Sequence, residues 1–239
     1  TYQVQHVTQP PVASMGARWC ELSDLLLLTY DPRSSLPPRL TFLQAKYART
    51  ATPPSVGSHL AANMVQWSLL ATRPSLKAWK PSFNPPPPAQ LLSGAVLPSV
   101  GSFGFFFQRG SRVPRFDLAF ASADSLRVAR TNPPRLPGGY VSFTSTNHWR
   151  RARWLECESA IGLRRIGMAI SIMSVGTPLQ VNTIESQWVR ALVSEIAAQH
   201  GPDPLLVEVE VALRGEPLTQ PPRPLDPQRD VGQPAGNHP

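Results

Sequence analysis

Trp19-Cys20-Glu21-Leu22-Ser23-Asp24-Leu25-Leu26-Leu27-Leu28 and Leu40-Thr41-Phe42-Leu43-Gln44-Ala45-Lys46-Tyr47 are apolar runs of strand length separated by a polar loop. The loop, Asp31-Pro32-Arg33-Ser34-Ser35-Leu36-Pro37-Pro38, is built from turn formers. Two such runs joined in this way predict a hairpin with strands over 18–30 and 39–48. Residues two apart in a strand share a face, so Gln44 and Lys46 point the same way while Ala45 points to the other. A hairpin symmetric about Ser34 sets Asp24 directly across from Gln44, where facing Cβ atoms lie about 4.5–5.5 Å apart. A carboxylate, a carboxamide oxygen and an ammonium would then meet at one point.

Outward from the hairpin, Leu60, Met64, Trp67 and Leu70 predict an amphipathic helix over 55–71, with Ser55 or Ser58 as cap and Arg73-Pro74 as its end. Residues 81–90, with Pro85 to Pro88, read as an extended connector. Leu91–Gln108, Phe116–Ala121 and Gly139–Thr144 read as further strands. A second helix is predicted from Asn182, with Glu185 in a capping-box position, Ile184, Trp188, Leu192 and Ile196 on one face, and Gly201 as the stop. Val207, Val209, Val211 and Leu213 alternate with Glu208 and Glu210, the pattern of a half-exposed strand. These elements divide the chain into an irregular lead-in over 1–17, an α/β domain over 18–214 and a Pro-rich, disordered tail over 215–239.

The 239 residues suffice for one good-sized domain, and a 41% hydrophobic content supports a real core. Cys20 and Cys157 form neither a metal-binding spacing nor a disulfide framework, which fits a reducing, cytoplasmic setting. The first residues show no signal peptide, although a start at Thr1 leaves room for sequence upstream. Leu91–Phe107 is apolar but short for a membrane span and broken by Pro98 and glycines, so no membrane partner is expected. The net charge is +8, and no acidic residue occurs from Pro32 to Phe116. Between Arg109 and Arg165, 11 arginines face four acids. Such a surface attracts a polyanion, and the arginine fork suits phosphate. Because 20 of the 23 basic residues are arginine, coding bias is the alternative source of that charge.

Asp24 and Gln44 supply hard oxygens that suit Mg²⁺ (or Mn²⁺), and Lys46 supplies a cation for charge developing on a phosphate. Asp24 followed across a hairpin by Gln44-Ala45-Lys46 resembles the PD-(D/E)xK nuclease superfamily in its Gln-x-Lys variant, similar to Mrr-type restriction nucleases. The resemblance covers about residues 18–72. It implies a restriction-endonuclease-like α/β fold, a mixed central sheet flanked by helices, with the predicted helix after Lys46 packed on it. It further implies metal binding by Asp24 and Gln44, assistance of the reaction by Lys46, and hydrolysis of nucleic-acid phosphodiesters, DNA being the expected substrate. Two positions depart from the family pattern. Ser23 stands where a proline often precedes the acid, and residues 1–17 carry no acid to match an upstream helical Glu. Glu21 would fill that role only through a bulge in its strand.

Asp24 could instead cap a turn, Gln44 bond to backbone and Lys46 snorkel from a strand end. His148-Trp149-Arg150-Arg151-Ala152-Arg153-Trp154 mixes arginines with aromatics, so Arg150, Arg151, Arg153 and Trp149, together with Arg49, are the expected nucleic-acid contacts. The bland reading of that segment is an exposed edge with its tryptophan buried. Gly104-Phe105-Phe106-Phe107 reads as core in preference to a base-stacking platform. The five histidines are scattered without a zinc pattern. An alternative function is a catalytically impaired nucleic-acid-binding or structural subunit of a larger assembly. A homodimer and a larger complex are both compatible with the sequence.

Overall fold

The structure, a computed structural model, describes residues 3–6, 19–48, 52–78, 85–109, 115–129, 138–151, 153–201 and 203–215. Arg49, residues 81–84 of the expected connector, residues 216–239 of the expected tail and most of the lead-in lie outside them. The elements in order are β1 (Gln3–His6), β2 (Trp19–Glu21), β3 (Leu25–Thr29), β4 (Arg39–Ala48), β5 (Leu60–Asn63), α1 (Met64–Thr72), β6 (Leu76–Ala78), β7 (Gly101–Arg109) and β8 (Arg115–Ser122). They continue with β9 (Leu126–Val128), β10 (Gly138–Phe143), β11 (His148–Arg151), β12 (Leu155–Ile161), α2 (Leu163–Ser171), β13 (Thr177–Pro178), α3 (Ile184–His200) and α4 (Pro204–Arg214). The architecture is α/β, with a mixed central sheet flanked by helices.

The central sheet runs β11-β12-β8-β7-β4-β13, with β3 also paired to β4. β3 and β4 form the expected hairpin in the expected register: Leu25 faces Leu43, Leu27 faces Thr41 and Thr29 faces Arg39. One step further, this register sets Asp24 opposite Gln44. β7 lies parallel to β4, Gln44 beside Phe103 and Lys46 beside Phe105. A parallel pair needs a long crossover, and β5, α1 and β6 lie within it. β1, β2 and β6 make one small sheet and β5, β9 and β10 another.

Alternation along β4 splits the interior into two cores. Leu40 and Phe42 join the larger one with residues of α1, α3 and α4, while Leu43 joins a smaller one with Ile166 and Ala169 of α2. Gly101 opens β7 where α1 crosses it. A Cβ there would lie 2.8 Å from both the Leu70 Cβ and the Leu70 carbonyl oxygen, so the absence of a side chain lets the helix come this close.

Several expectations are corrected. The strand expected over 18–30 is broken at Leu22–Asp24 into β2 and β3. The helix expected over 55–71 begins only at Met64, because residues 60–63 extend to pair with β10 and Asn63 then caps the helix through its side-chain oxygen. Ser55 and Ser58 instead hydrogen-bond each other in a turn. Strand structure in Leu91–Gln108 starts only at Gly101. Thr183, not Asn182, caps α3. The buried face of that helix centres on Trp188, Val189 and Val193, while Ile184 and Ile196 are exposed. The period-two segment after Pro204 is helix α4: Asp203 caps it, Pro204 fits its first turn, and Gly215 closes it in the left-handed conformation. Among the described residues no helix is long and apolar enough to cross a membrane. Both cysteines are free and buried.

Candidate functional site

β3 ends one residue short of Asp24, and that early stop organises the site. The Asp24 N–H donates to the Leu43 carbonyl at 3.1 Å. Its Oδ2 accepts from the Ala45 N–H at 2.7 Å, taking an edge donor of β4 beyond the last β3 pair. The side chain is thereby held beside the two residues that flank Ala45 and share its opposite face. Lys46 Nζ lies 3.6 Å from Asp24 Oδ2 and donates to Gln44 Oε1 at 3.2 Å. The three groups expected to meet do meet.

Gln44 is fully buried, and its orientation is fixed from below. Its Nε2 donates to the Glu21 carbonyl at 3.3 Å. A carbonyl accepts only a donor, so the carboxamide nitrogen faces β2 and the oxygen faces Lys46. Asp24 and Lys46 remain accessible, with side chains 30% and 24% exposed. The result is a buried acceptor at the floor and two opposite charges at the mouth. Glu21 contributes through its backbone: its contact with the group is the carbonyl that anchors Gln44, and it belongs to β2, which pairs with β1 in a separate sheet.

The donor set consists of hard oxygens, the class that divalent cations take, and both already accept protein hydrogen bonds. Mg²⁺ binds through one or two carboxylates and keeps several waters and substrate oxygens for the remainder. Asp24, just before β3, and Gln44 of β4 offer one carboxylate and one carboxamide oxygen. Among the described residues no group of three or more His, Cys, Asp or Glu side chains is arranged to hold a metal ion.

The arginine segment lies elsewhere. β11 is the far edge of the central sheet, four strands from β4, or about 19 Å at the usual strand spacing. Arg150 is engaged by Glu158, a buried carboxylate that also accepts His148 Nδ1. Trp149 is half-buried against the smaller core. Arg151 is exposed, and Arg153 lies over the Trp154 ring at 6.0 Å. The exposed-edge reading of this segment therefore describes Trp149 and Arg150, whereas Arg151 and Arg153 keep their heads in solvent.

Sequence reasoning missed a second polar centre inside the sheet. Arg39 is buried and donates from Nη1 to the Leu155 and Gly176 carbonyls, and burial pulls its guanidinium down to about 10 against the nearby Glu156 charge. Glu156 is buried and accepts from the Ser99 N–H at 2.9 Å. Burial raises its carboxyl above the ordinary value, opposed by that hydrogen bond and by Arg150. Both residues are charged positions in apolar runs, a signal visible in sequence only as a buried charge in need of a partner. Comparison of the chain with protein-family models, with curated proteins and with solved structures finds no match.

Proposed function

We propose that the chain is a metal-dependent nuclease of the PD-(D/E)xK type that hydrolyses nucleic-acid phosphodiesters, DNA in the first instance. The observation that supports this reading is the convergence of Asp24, Gln44 and Lys46 at the open end of the β3–β4 hairpin. Asp24 and Gln44 would hold the Mg²⁺ or Mn²⁺, which when bound supplies a Lewis acid and a water of lowered pKa. Asp24 is kept in place by the Ala45 N–H, so its carboxylate needs no rearrangement to bind. Gln44 presents its oxygen because Glu21 holds its nitrogen. Lys46 places an ammonium within reach of both, where it offsets charge developing on the phosphate. The restriction-endonuclease-like topology is part of this proposal, supported by the Asp24 hairpin, the following helix α1 and the parallel placement of β7 on β4.

A second reading, a nucleic-acid-binding subunit without cleavage, is favoured by one feature: Lys46 already lies 3.6 Å from the single carboxylate of the triad. Incubation of supercoiled plasmid with Mg²⁺ separates the two. The nuclease reading expects nicking by the wild type and a loss of roughly 10²–10³-fold in rate for Lys46→Ala. Binding without nicking by the wild type would leave the second reading standing.

A further inference from the structure

The sheet face opposite the triad carries an aromatic shelf that the proposed chemistry does not use. Tyr47 of β4 lies beside Phe106 of β7, Phe106 faces Leu118 of β8, and Phe116 faces Gln108 one row further on. Residues paired in register share a face, so the three rings rise from one side. α2 packs over the other half of that face, against Leu43, Phe120 and Ala160. The half it leaves open exposes 63% of Phe116, 54% of Tyr47 and 36% of Phe106. One row in, Ala45 and Gly104 lie side by side, which keeps the floor low. Phe105 and Phe107, by contrast, are fully buried on the other face.

Among the described residues, charge around the shelf is mostly positive. β4 and β7 carry no carboxylate and β8 carries only Asp117. Asp117 is already committed: Oδ1 accepts from the Leu118 and Leu163 N–H groups, and Oδ2 lies 3.6 Å from Arg109 Nη1. Arg115, one step before Phe116, is exposed at the strand end on the opposite face. α2 starts at the shelf's edge, where the Gly162 N–H donates to the Leu118 carbonyl, and its first turn holds exposed Arg164 and Arg165 and no acid. Two cations in a first turn oppose the helix dipole, a cost that a bound anion relieves.

We infer that this shelf binds single-stranded nucleic acid, bases stacking on Tyr47, Phe106 and Phe116 and phosphates meeting Arg164 and Arg165. Stacking is sequence-tolerant and pairs with a cationic rim in single-strand binding. The inference rests on the nuclease reading for its purpose, delivery of a strand around the end of β4 to Lys46, the residue next to Tyr47; the binding itself needs no cleavage.

The test is fluorescence anisotropy of a labelled dT15 oligonucleotide in EDTA at low salt. Wild type is expected to bind, Tyr47→Ala and Phe116→Ala to weaken binding by roughly 5- to 150-fold each, and Tyr47→Trp to keep it. Circular dichroism and a thermal melt establish that the alanine variants fold. Folded alanine variants that bind dT15 like wild type overturn the inference, as does a wild type that does not bind. Light scattering supplies a further outcome: self-association abolished by the same substitutions, with no dT15 affinity, would assign the shelf to a second copy of the chain and overturn it too. A wild type that binds dT15 through the shelf but never nicks plasmid sinks the nuclease reading alone.

Discussion

Asp24 performs a structural task whatever else it does, since its Oδ2 satisfies the Ala45 N–H beyond the end of β3. Two substitutions separate that task from metal binding. Asp24→Asn retains an oxygen acceptor for Ala45 and should melt close to wild type, yet lose plasmid nicking. Asp24→Ala should lose nicking and also about 1 kcal/mol of stability, read by urea unfolding. Equal activity in Asn and wild type would remove Asp24 from the chemistry. Its partnership with Gln44 and Lys46 was legible because strand faces alternate and the loop is symmetric about Ser34. The Ala45 contact was not, because it depends on where β3 stops, and no residue pattern marks that stop. Glu156 makes a pH prediction. Its carboxyl is raised by burial, so the native state keeps a proton that the unfolded chain releases near the ordinary value of 4.5. The stability it confers is therefore greatest in acid and declines as pH rises through its folded value. Glu156→Gln, which still accepts from Ser99, should gain in Tm relative to wild type as pH rises above the ordinary carboxyl value; a difference that does not change with pH would refute the shift. Cys20 and Cys157 have thiols pushed up to about 12 by burial. Neither should react with Ellman's reagent near neutral pH until the chain is unfolded, when both should.

Elements were readable where one pattern excluded the others. β3 and β4 combine apolar runs with a proline-rich loop, and their register followed. α4 was misread because Val207, Val209, Val211 and Leu213 satisfy a period of two, whereas the residues that pack are Val209 and Leu213, one helical turn apart, with Leu206 beside them. Asp203-Pro204 before the run and Gly215 after it are helix punctuation, and in the folded chain they decided the matter against the β-branched content. The helix after the hairpin was placed too early because its start is set by a partner: residues 60–63 are extended to pair with β10, a long-range contact invisible to local periodicity. The joint between α1 and β7 is the element contact most open to test. Gly101→Ala puts a methyl 2.8 Å from the Leu70 backbone oxygen, which flexible side-chain motion cannot relieve. A loss of about 1–3 kcal/mol in urea unfolding is expected, against a gain of about 0.5–1 kcal/mol for the same change at exposed Gly167 inside α2, where a Cβ meets nothing within 4 Å.

The whole molecule has a net charge of +8 that is unevenly placed: the acid-free run from Pro32 to Phe116 supplies β4, β5, α1, β6 and β7 and so reaches both faces of the central sheet beside the triad and the shelf. Composition alone cannot separate a polyanion-binding surface from an arginine-rich coding bias, but salt dependence can. Each phosphate neutralised on a single strand releases counterion, and log K falls by about 0.7 per phosphate per log unit of salt. Contacts from Arg164 and Arg165 alone set an expected slope of roughly −1.4 for dT15 in EDTA, and further arginines would steepen it. Arg164→Ala with Arg165→Ala should reduce the slope by about 1.4 while leaving the stacking contribution in place. Tyr47→Ala should do the reverse, lowering affinity at every salt concentration with the slope unchanged, because a ring carries no counterion to release. A wild-type slope near zero would mean that the positive charge is compositional and meets no phosphate. The two slopes together therefore decide whether charge and aromatic surface act on the same strand.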